Sequence, residues 1–135
     1  MKLNPKQREL ATKRLWELQE TFVEFEGIIL ASVGGLTLTS TLPNGAQLQR
    51  GAALSAALLL LCEHVMQTWS GDETEAVYVK VNLDEPPPRY VVLHPVGNMA
   101  VLIAIQRTDA KLAPPYAMIA LKEAVAYLET ILQGV

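Results

Sequence analysis

Clustered positive charge, which nucleic-acid and anionic-membrane surfaces usually display, is missing from this chain. Its 11 Lys and Arg stand against 14 Asp and Glu for a net charge of −3, and no basic run occurs anywhere. Neither nucleic acid nor membrane is therefore an expected partner. A single cysteine, Cys62, rules out an internal disulfide, and the polar, charged amino terminus has no apolar signal core. The expected location is the reducing cytoplasm. Catalytic signatures are absent too. The chain has no glycine-rich loop ending in Lys and Ser or Thr, no G-x-S-x-G elbow, no H-E-x-x-H helix and no paired C-x-x-C. Cys62 and His64 lie two apart on a helix, point in different directions and cannot act as nucleophile and base. Cys62 reads as a core filler. His64 and His94 lack a third ligand for a metal, and no carboxylate falls inside an apolar run where its pKa would be raised for proton transfer. The expectation is a non-enzyme with no cofactor and no metal.

What is present is apolar surface, at 50% of residues, with 19% charged. The length fits one domain over residues 1–135, able to bury about two thirds of the surface its unfolded chain exposes. The apolar excess is concentrated in residues 47–69, whose uncharged centre, 51–62, is shorter than the roughly 20 residues a bilayer span needs. A helix here places Leu54, Leu58, Leu61 and Val65 on one side and Ala53, Ala56, Ala57 and Leu60 nearly opposite. Both sides are apolar, so the helix is expected to be covered twice. The leucine side is assigned to the chain's own sheet. The small side, with Arg50, Glu63, His64 and Gln67 at its ends, has the apolar centre and polar rim of a protein interface, although another helix of the same chain could also cover it.

The rest of the chain supplies that sheet. Asn4, Pro5 and Gln7 form a capping box opening an amphipathic helix with its stripe at Leu10, Ala11, Leu15, Leu18, Phe22 and Phe25. Trp16 and Val23 lie off that stripe. After Gly27, the apolar run 28–33 suits a central strand, and Gly34-Gly35 predicts a tight primed turn into an alternating strand. Val77, Val79, Val81 and Leu83 alternate with Tyr78, Lys80 and Asn82 as a further strand. The proline loop at 84–88 cannot join a ladder. Strands at 90–94 and 99–106 are joined by a turn at 95–98, and Pro114-Pro115 opens a last helix with Met118, Leu121, Val125, Leu128 and Leu132 on one face. The fold class is α+β: an antiparallel sheet of about five strands with three helices, in the order αββαβββα.

With these elements in place, the chain resembles the Roadblock family of dynein light chains and their bacterial relatives. The likeness runs from about Leu10 to Leu132. It rests on GIILASVGGLTLTS (27–40), RGAALSAALLLLCEHV (50–65) and VVLHPVGNMAVLIAI (91–105). Gly34-Gly35 departs from the family, in which many members carry an acidic residue before the glycine. The resemblance implies pairing of the chain with itself or a paralogue, central helices antiparallel, and the sheet continued across the dimer through the strand at 76–83. The implied interface is Arg50, Ala53, Ala56, Ala57, Leu60, His64 and Gln67 on the helix and Val77, Tyr78, Val79, Lys80 and Val81 on the strand. It also implies an adaptor or scaffold role, or regulation of a small Ras-like GTPase. The alternative is a small-molecule sensor of the GAF or PAS kind. That reading needs an open pocket with converging polar groups, and the valines of the strand at 76–83 are expected to fill such a space.

Overall fold

The computed structural model describes residues 2–71, 74–81, 89–107 and 114–134. The elements are α1 (Pro5–Thr21), β1 (Phe25–Ser32), β2 (Thr37–Ser40), α2 (Ala46–Trp69), β3 (Val77–Val81), β4 (Arg89–Val96), β5 (Ala100–Arg107) and α3 (Pro114–Leu132). This is the α+β order that the sequence predicts. The proline loop at 84–88 and the polar loop at 108–113 lie outside the described residues, as do Asn82, Leu83 and the side chains of Lys80 and Val81.

The capping box forms as expected. The Gln7 backbone N–H donates to Asn4 Oδ1 at 2.8 Å, and the Asn4 N–H donates back to Gln7 Oε1 at 3.0 Å. The helix stops at Thr21, short of the predicted Phe25. Thr21, Phe22 and Val23 are β-branched or aromatic and lose side-chain freedom in a helix, and Phe22 takes an extended conformation as the C-cap. Once the chain has turned, Phe22 and Phe25 meet edge to face, with ring centroids 5.9 Å apart. Phe25 then opens β1.

The sheet is antiparallel throughout, in the order β2-β1-β5-β4-β3. The β1–β2 turn differs from the predicted two-residue form. Gly35 N–H donates to Ser32 O at 2.9 Å, Ser32 N–H donates to Leu36 O at 2.8 Å, and only Gly35 of the glycine pair has positive φ, +92°. Val33 thus belongs to a three-residue loop closed by a left-handed glycine. Pro95, expected in a turn, lies inside β4 opposite Val101. Pairing with β3 runs only from Leu93 back to Arg89, so Pro95 sits beyond the end of β3, where no ladder donor is required on that side.

Strand alternation divides the core in two. Ile28, Leu30, Val92, Val96, Leu102 and Ala104 face α1 and α3, where Ala11, Leu15, Leu18, Leu121, Ala124 and Leu128 cover them. Ile29, Ala31, Leu93, Val101 and Ile103 face the other way and meet α2 through Leu48, Ala52, Ala56 and Leu59, with Leu42 packed at the margin. The expected packing of α2 is therefore corrected. Leu54, Leu58, Leu61 and Val65 do not lie on the sheet. They point away from it, with Leu54 66%, Leu61 63% and Val65 60% exposed, while Ala56 is 5% exposed beneath the helix. The helix is rotated between the two predicted sides: Ala52 and Ala56 let it approach the bulk of Ile29, Leu93, Val101 and Ile103 closely, and Leu48 and Leu59 fill the space on either side of them.

At 24 residues, with a stretch whose mean hydropathy reaches 1.3, α2 is long and apolar enough to cross a membrane by length and composition, although its uncharged centre alone is too short. In the fold it lies along the sheet and joins β2 to β3 of that same sheet.

Candidate functional site

The N-terminal half of α2 is fixed to the β1–β2 hairpin. Thr37 N–H donates to Gln49 Oε1 at 3.0 Å, and Gln49 Nε2 donates to Gly35 O at 2.7 Å. A Cβ on Gly35 would stand 2.8 Å from Ala53 Cα, so only glycine permits this approach as well as this φ. Farther along, Glu63 and Gln67 border a cleft with Pro95, Gly97 and Asn98 of the β4–β5 turn. One flank of α2, carrying Gln49, Ala53 and Gln67, therefore looks toward the turns at one end of the sheet. The opposite flank carries Gly51, Ser55, Leu58 and Cys62. Gly51 shares a cleft of about 570 Å³ with Ile29, Leu42, Leu48 and Ile105, and no charged residue lines that cleft.

Toward this second flank the sheet has an apolar floor that is incompletely covered among the described residues, with Val91 packed at the margin of the core beneath α2. Val79, Val91 and Ile105 stand side by side across β3, β4 and β5 and are only half buried. The floor ends at an ion cluster. Arg89 Nε donates to Glu26 Oε2 at 2.8 Å, and Arg107 Nε lies 3.2 Å from Glu26 Oε1. The Glu26 carboxylate raises the Arg89 pKa above its ordinary value, first through this hydrogen bond and then through charge.

The two sheet edges differ. On β2, Gln49 occupies Thr37 N–H, Arg8 Nη1 donates to Leu38 O at 2.8 Å, and Thr12 bonds Thr39 through their hydroxyls. β3 is the last strand on its side. It is held from one face by α3: Tyr78 OH donates to Met118 Sδ at 2.6 Å, and Glu75, just before the strand, pairs with Lys122. Burial raises the Tyr78 phenol above its usual value, and Glu75 adds to this by charge.

The residues singled out from sequence are thus dispersed. Arg50, Ala53, Ala57, Leu60, His64 and Gln67 are exposed on α2, whereas Ala56 is withdrawn into the chain's own core. Val77 and Val79 turn toward the α2 side and Tyr78 toward α3. Sequence reasoning missed the outward leucines and Trp69, which is 86% exposed at the end of α2. The face that packs on the sheet is instead Leu48, Ala52, Ala56 and Leu59, of which only Ala56 belongs to either side read from the sequence. Trp16 and Val23 are both exposed. His94, expected at a strand end, is buried within β4. Its Nδ1 lies 3.0 Å from Pro95 O, and its Nε2 has no hydrogen-bond partner among the described residues. No three His, Cys, Asp or Glu come together to hold a metal among the described residues.

No protein-family profile and no curated protein matches the sequence. Solved structures do match. A gliding protein MglB from Thermus thermophilus superposes with a TM-score of 0.81 over 100% of this chain and 97% of its own, at 16% identity. An MglB with a tetrameric arrangement gives 0.80 over 99% and 96%, also at 16% identity. A Roadblock/LC7 domain from Streptomyces avermitilis gives 0.77 over 90% and 97%, again at 16%. At such identities it is the path of the backbone that is shared, element for element and over nearly the whole length: this chain has the Roadblock/LC7 fold.

Proposed function

We propose that the chain is a non-enzymatic, cytoplasmic interaction module that pairs through α2 and β3 and, as a pair, regulates or scaffolds a small Ras-like GTPase. The observation that carries the pairing is the half-covered sheet face: one helix lies on it, the floor beyond that helix is apolar, and the strand bordering the floor is the last of its sheet. Such an edge is a template for another strand, and an apolar patch of this kind marks an interaction surface. The shared fold with MglB, one form of which is described as tetrameric, supports self-association. The same likeness supports a GTPase as the further partner. Leu54 and Leu61, pointing straight off the sheet, stay accessible when a second helix lies beside α2, and they are the surface offered to that partner. A sensor of the GAF or PAS kind gains no support, since the 570 Å³ cleft beside Gly51 is open and lacks converging charged groups.

Sedimentation of the purified chain at micromolar concentration should give a dimer, and a monomer throughout would remove the reading. Incubation with a Ras-like GTPase encoded in the same genome should give a complex, with a change in GTP hydrolysis if the role is regulatory. Replacing Leu61 with Arg should abolish that complex and leave the dimer intact.

A further inference from the structure

Two polar clefts of similar size differ in what their side chains already do. In the cleft along β2, about 450 Å³, Arg8, Thr39, Ser40 and Gln49 are each hydrogen-bonded within the chain, which leaves only Thr37 and Asn44 unbonded among its polar side chains. Most of its groups are occupied by the fold. The cleft between α2 and the β4–β5 turn, about 440 Å³, is lined by Glu63, Gln67, Thr74 and Asn98 beside Pro95 and Gly97, and among the described residues none of those four side chains has a hydrogen-bond or ion-pair partner. Two of the four are withdrawn from water. Thr74 Oγ1 is buried, and Glu63 is half buried on the flank of α2 that looks toward the turns. A buried hydroxyl left unbonded costs free energy, and a half-buried carboxylate without a counter-ion adds to that cost, so a ligand that satisfies both relieves the fold.

The chemistry of the lining narrows the ligand. A carboxylate, two amide oxygens and a hydroxyl all accept hydrogen bonds, no Lys, Arg or His lines the cleft, and a second carboxylate stands behind the turn, since a Cβ on Gly97 would lie 3.1 Å from Glu129 Oε1. The occupant is a cation that donates several hydrogen bonds. Hard metal ions gather oxygens around several carboxylates, and here one carboxylate lines the cleft. A guanidinium fits better than an ammonium, because its planar fork presents five N–H donors in fixed directions to acceptors spread around a cleft. The rim points to the source. Gln67, Gly97 and Asn98 are exposed, so the cleft stands open and does not enclose a small ligand as metabolite sites do. Leu60, two turns before Gln67 on the same line of the helix, is 53% exposed. An apolar residue at the mouth suits a long side chain carried in on another protein, its methylene stem lying on the leucine and its head in the cleft.

We propose that this cleft receives an arginine side chain of a partner protein, with Glu63 as the charged acceptor, Gln67 and Asn98 completing the fork, Thr74 Oγ1 bonded at the bottom and Leu60 under the stem. The site lies across α2 from Gly51 and the apolar floor, so it goes beyond the pairing proposed above and does not depend on it.

NMR titration of the isotope-labelled full chain tests the site, with capped arginine (N-acetyl-arginine methylamide) as the probe. The side-chain amides of Gln67 and Asn98 and the methyl of Thr74 should shift together and saturate in the millimolar range. Capped citrulline, of the same shape without the charge, should bind at least about tenfold more weakly, since hydrogen bonds to an ionised group are roughly twice as strong as neutral ones. Glu63→Gln should weaken capped arginine by a similar factor with amide shifts away from the cleft unchanged, and Asn98→Ala, on an exposed turn, by less. The tripeptide acetyl-Leu-Arg-Leu-amide should bind more tightly than capped arginine, and Leu60→Ser should remove that gain while leaving capped arginine unaffected. Absence of a saturable shift at tens of millimolar, equal binding of arginine and citrulline, or full binding by Glu63→Gln would overturn the site. Calcium chloride moving the same groups at lower concentration than arginine would overturn the guanidinium in favour of a metal, and a tripeptide no tighter than capped arginine would overturn the partner protein in favour of a free ligand.

Discussion

The two faces of this sheet carry similar apolar residues and are finished differently. The face toward α1 and α3 is closed: two helices cover it, and Gln7 Nε2 of α1 donates to Ile131 O of α3 at 2.9 Å, tying one end of the pair together. Among the described residues, the face toward α2 is covered by that one helix, whose far side exposes Leu54, Leu61 and Val65. The first face is finished within the chain, and the second, under the proposed pairing, is finished by a second copy. A pair of truncations should expose the difference. Leu128→Ala, on the closed face, should cost about 2–5 kcal/mol in chemical denaturation, as buried leucines do. Leu61→Ala, pointing off the open face, should change monomer stability by less than about 0.5 kcal/mol. Equal costs would mean that α2 is covered within the chain after all.

The joint that orients the single helix is the close approach of Gly35 to Ala53. Gly35→Ala meets two obstacles, a left-handed backbone and a Cβ only 2.8 Å from another backbone atom. The expected loss is about 2–4 kcal/mol, combining the left-handed penalty with overpacking. Because the clash is with α2 and not with either neighbouring strand, amides of the N-terminal half of α2 should exchange faster than those of α3. Uniform loss of protection would show that the two faces melt together. A milder version is Gln49→Ala, which leaves Thr37 N–H and Gly35 O without their side-chain partner. It should cost about 1 kcal/mol and leave the β2 edge with fewer side-chain partners. A rise in strand-edge association on light scattering, absent in the natural chain, would be the sign.

Much of the architecture was legible in the sequence because local chemistry and tertiary demand agree there. The Asn4 cap, the apolar run of β1, the meander and the stripe of α3 each have one arrangement that buries them. Three features were not legible, for distinct reasons. The end of α1 depends on Phe22 and Phe25 meeting after the turn, a contact that helical spacing alone does not reveal. The hairpin loop turns on which of two adjacent glycines carries the positive φ. The orientation of α2 could not be read from the helix alone, since a helix apolar all round has no preferred face. The choice was made by the bulk of Ile29, Leu93, Val101 and Ile103 on the sheet and by Gly35 at its rim. In the candidate interface this shows at Ala56, which lies in the chain's own core, while Ala53, Ala57 and Leu60 remain exposed, because the rotation of α2 is fixed by residues distant in sequence.

The smallest expected effect concerns how β3, the last strand on its side, is held to the closed face. Glu75 and Lys122 pair across the start of the strand. Their hydrogen bond, followed by charge attraction, lowers the Glu75 pKa below 4.5 and raises that of Lys122 above 10.5. An acid whose value is lowered by folding contributes its stability in full above its unfolded value and loses it as pH falls through the folded one. A base whose value is raised contributes in full below its unfolded value and loses it as pH rises through the folded one. The pair therefore acts throughout the range between 4.5 and 10.5, and its contribution fades on either side. Both groups are exposed, so solvent screening keeps the effect on global stability slight. The sharper readout is local. Glu75→Gln should bring the Lys122 amine back down toward its ordinary value and lower the Tyr78 phenol, since Glu75 is part of what raises it. Both are measurable by NMR titration. If Tyr78 and Lys122 titrate unchanged in Glu75→Gln, β3 is held by the Tyr78–Met118 contact without the ion pair, and the contrast between the two edges is sharper still: on β2 three polar side chains bond the strand, and on β3 one phenol holds it from beneath.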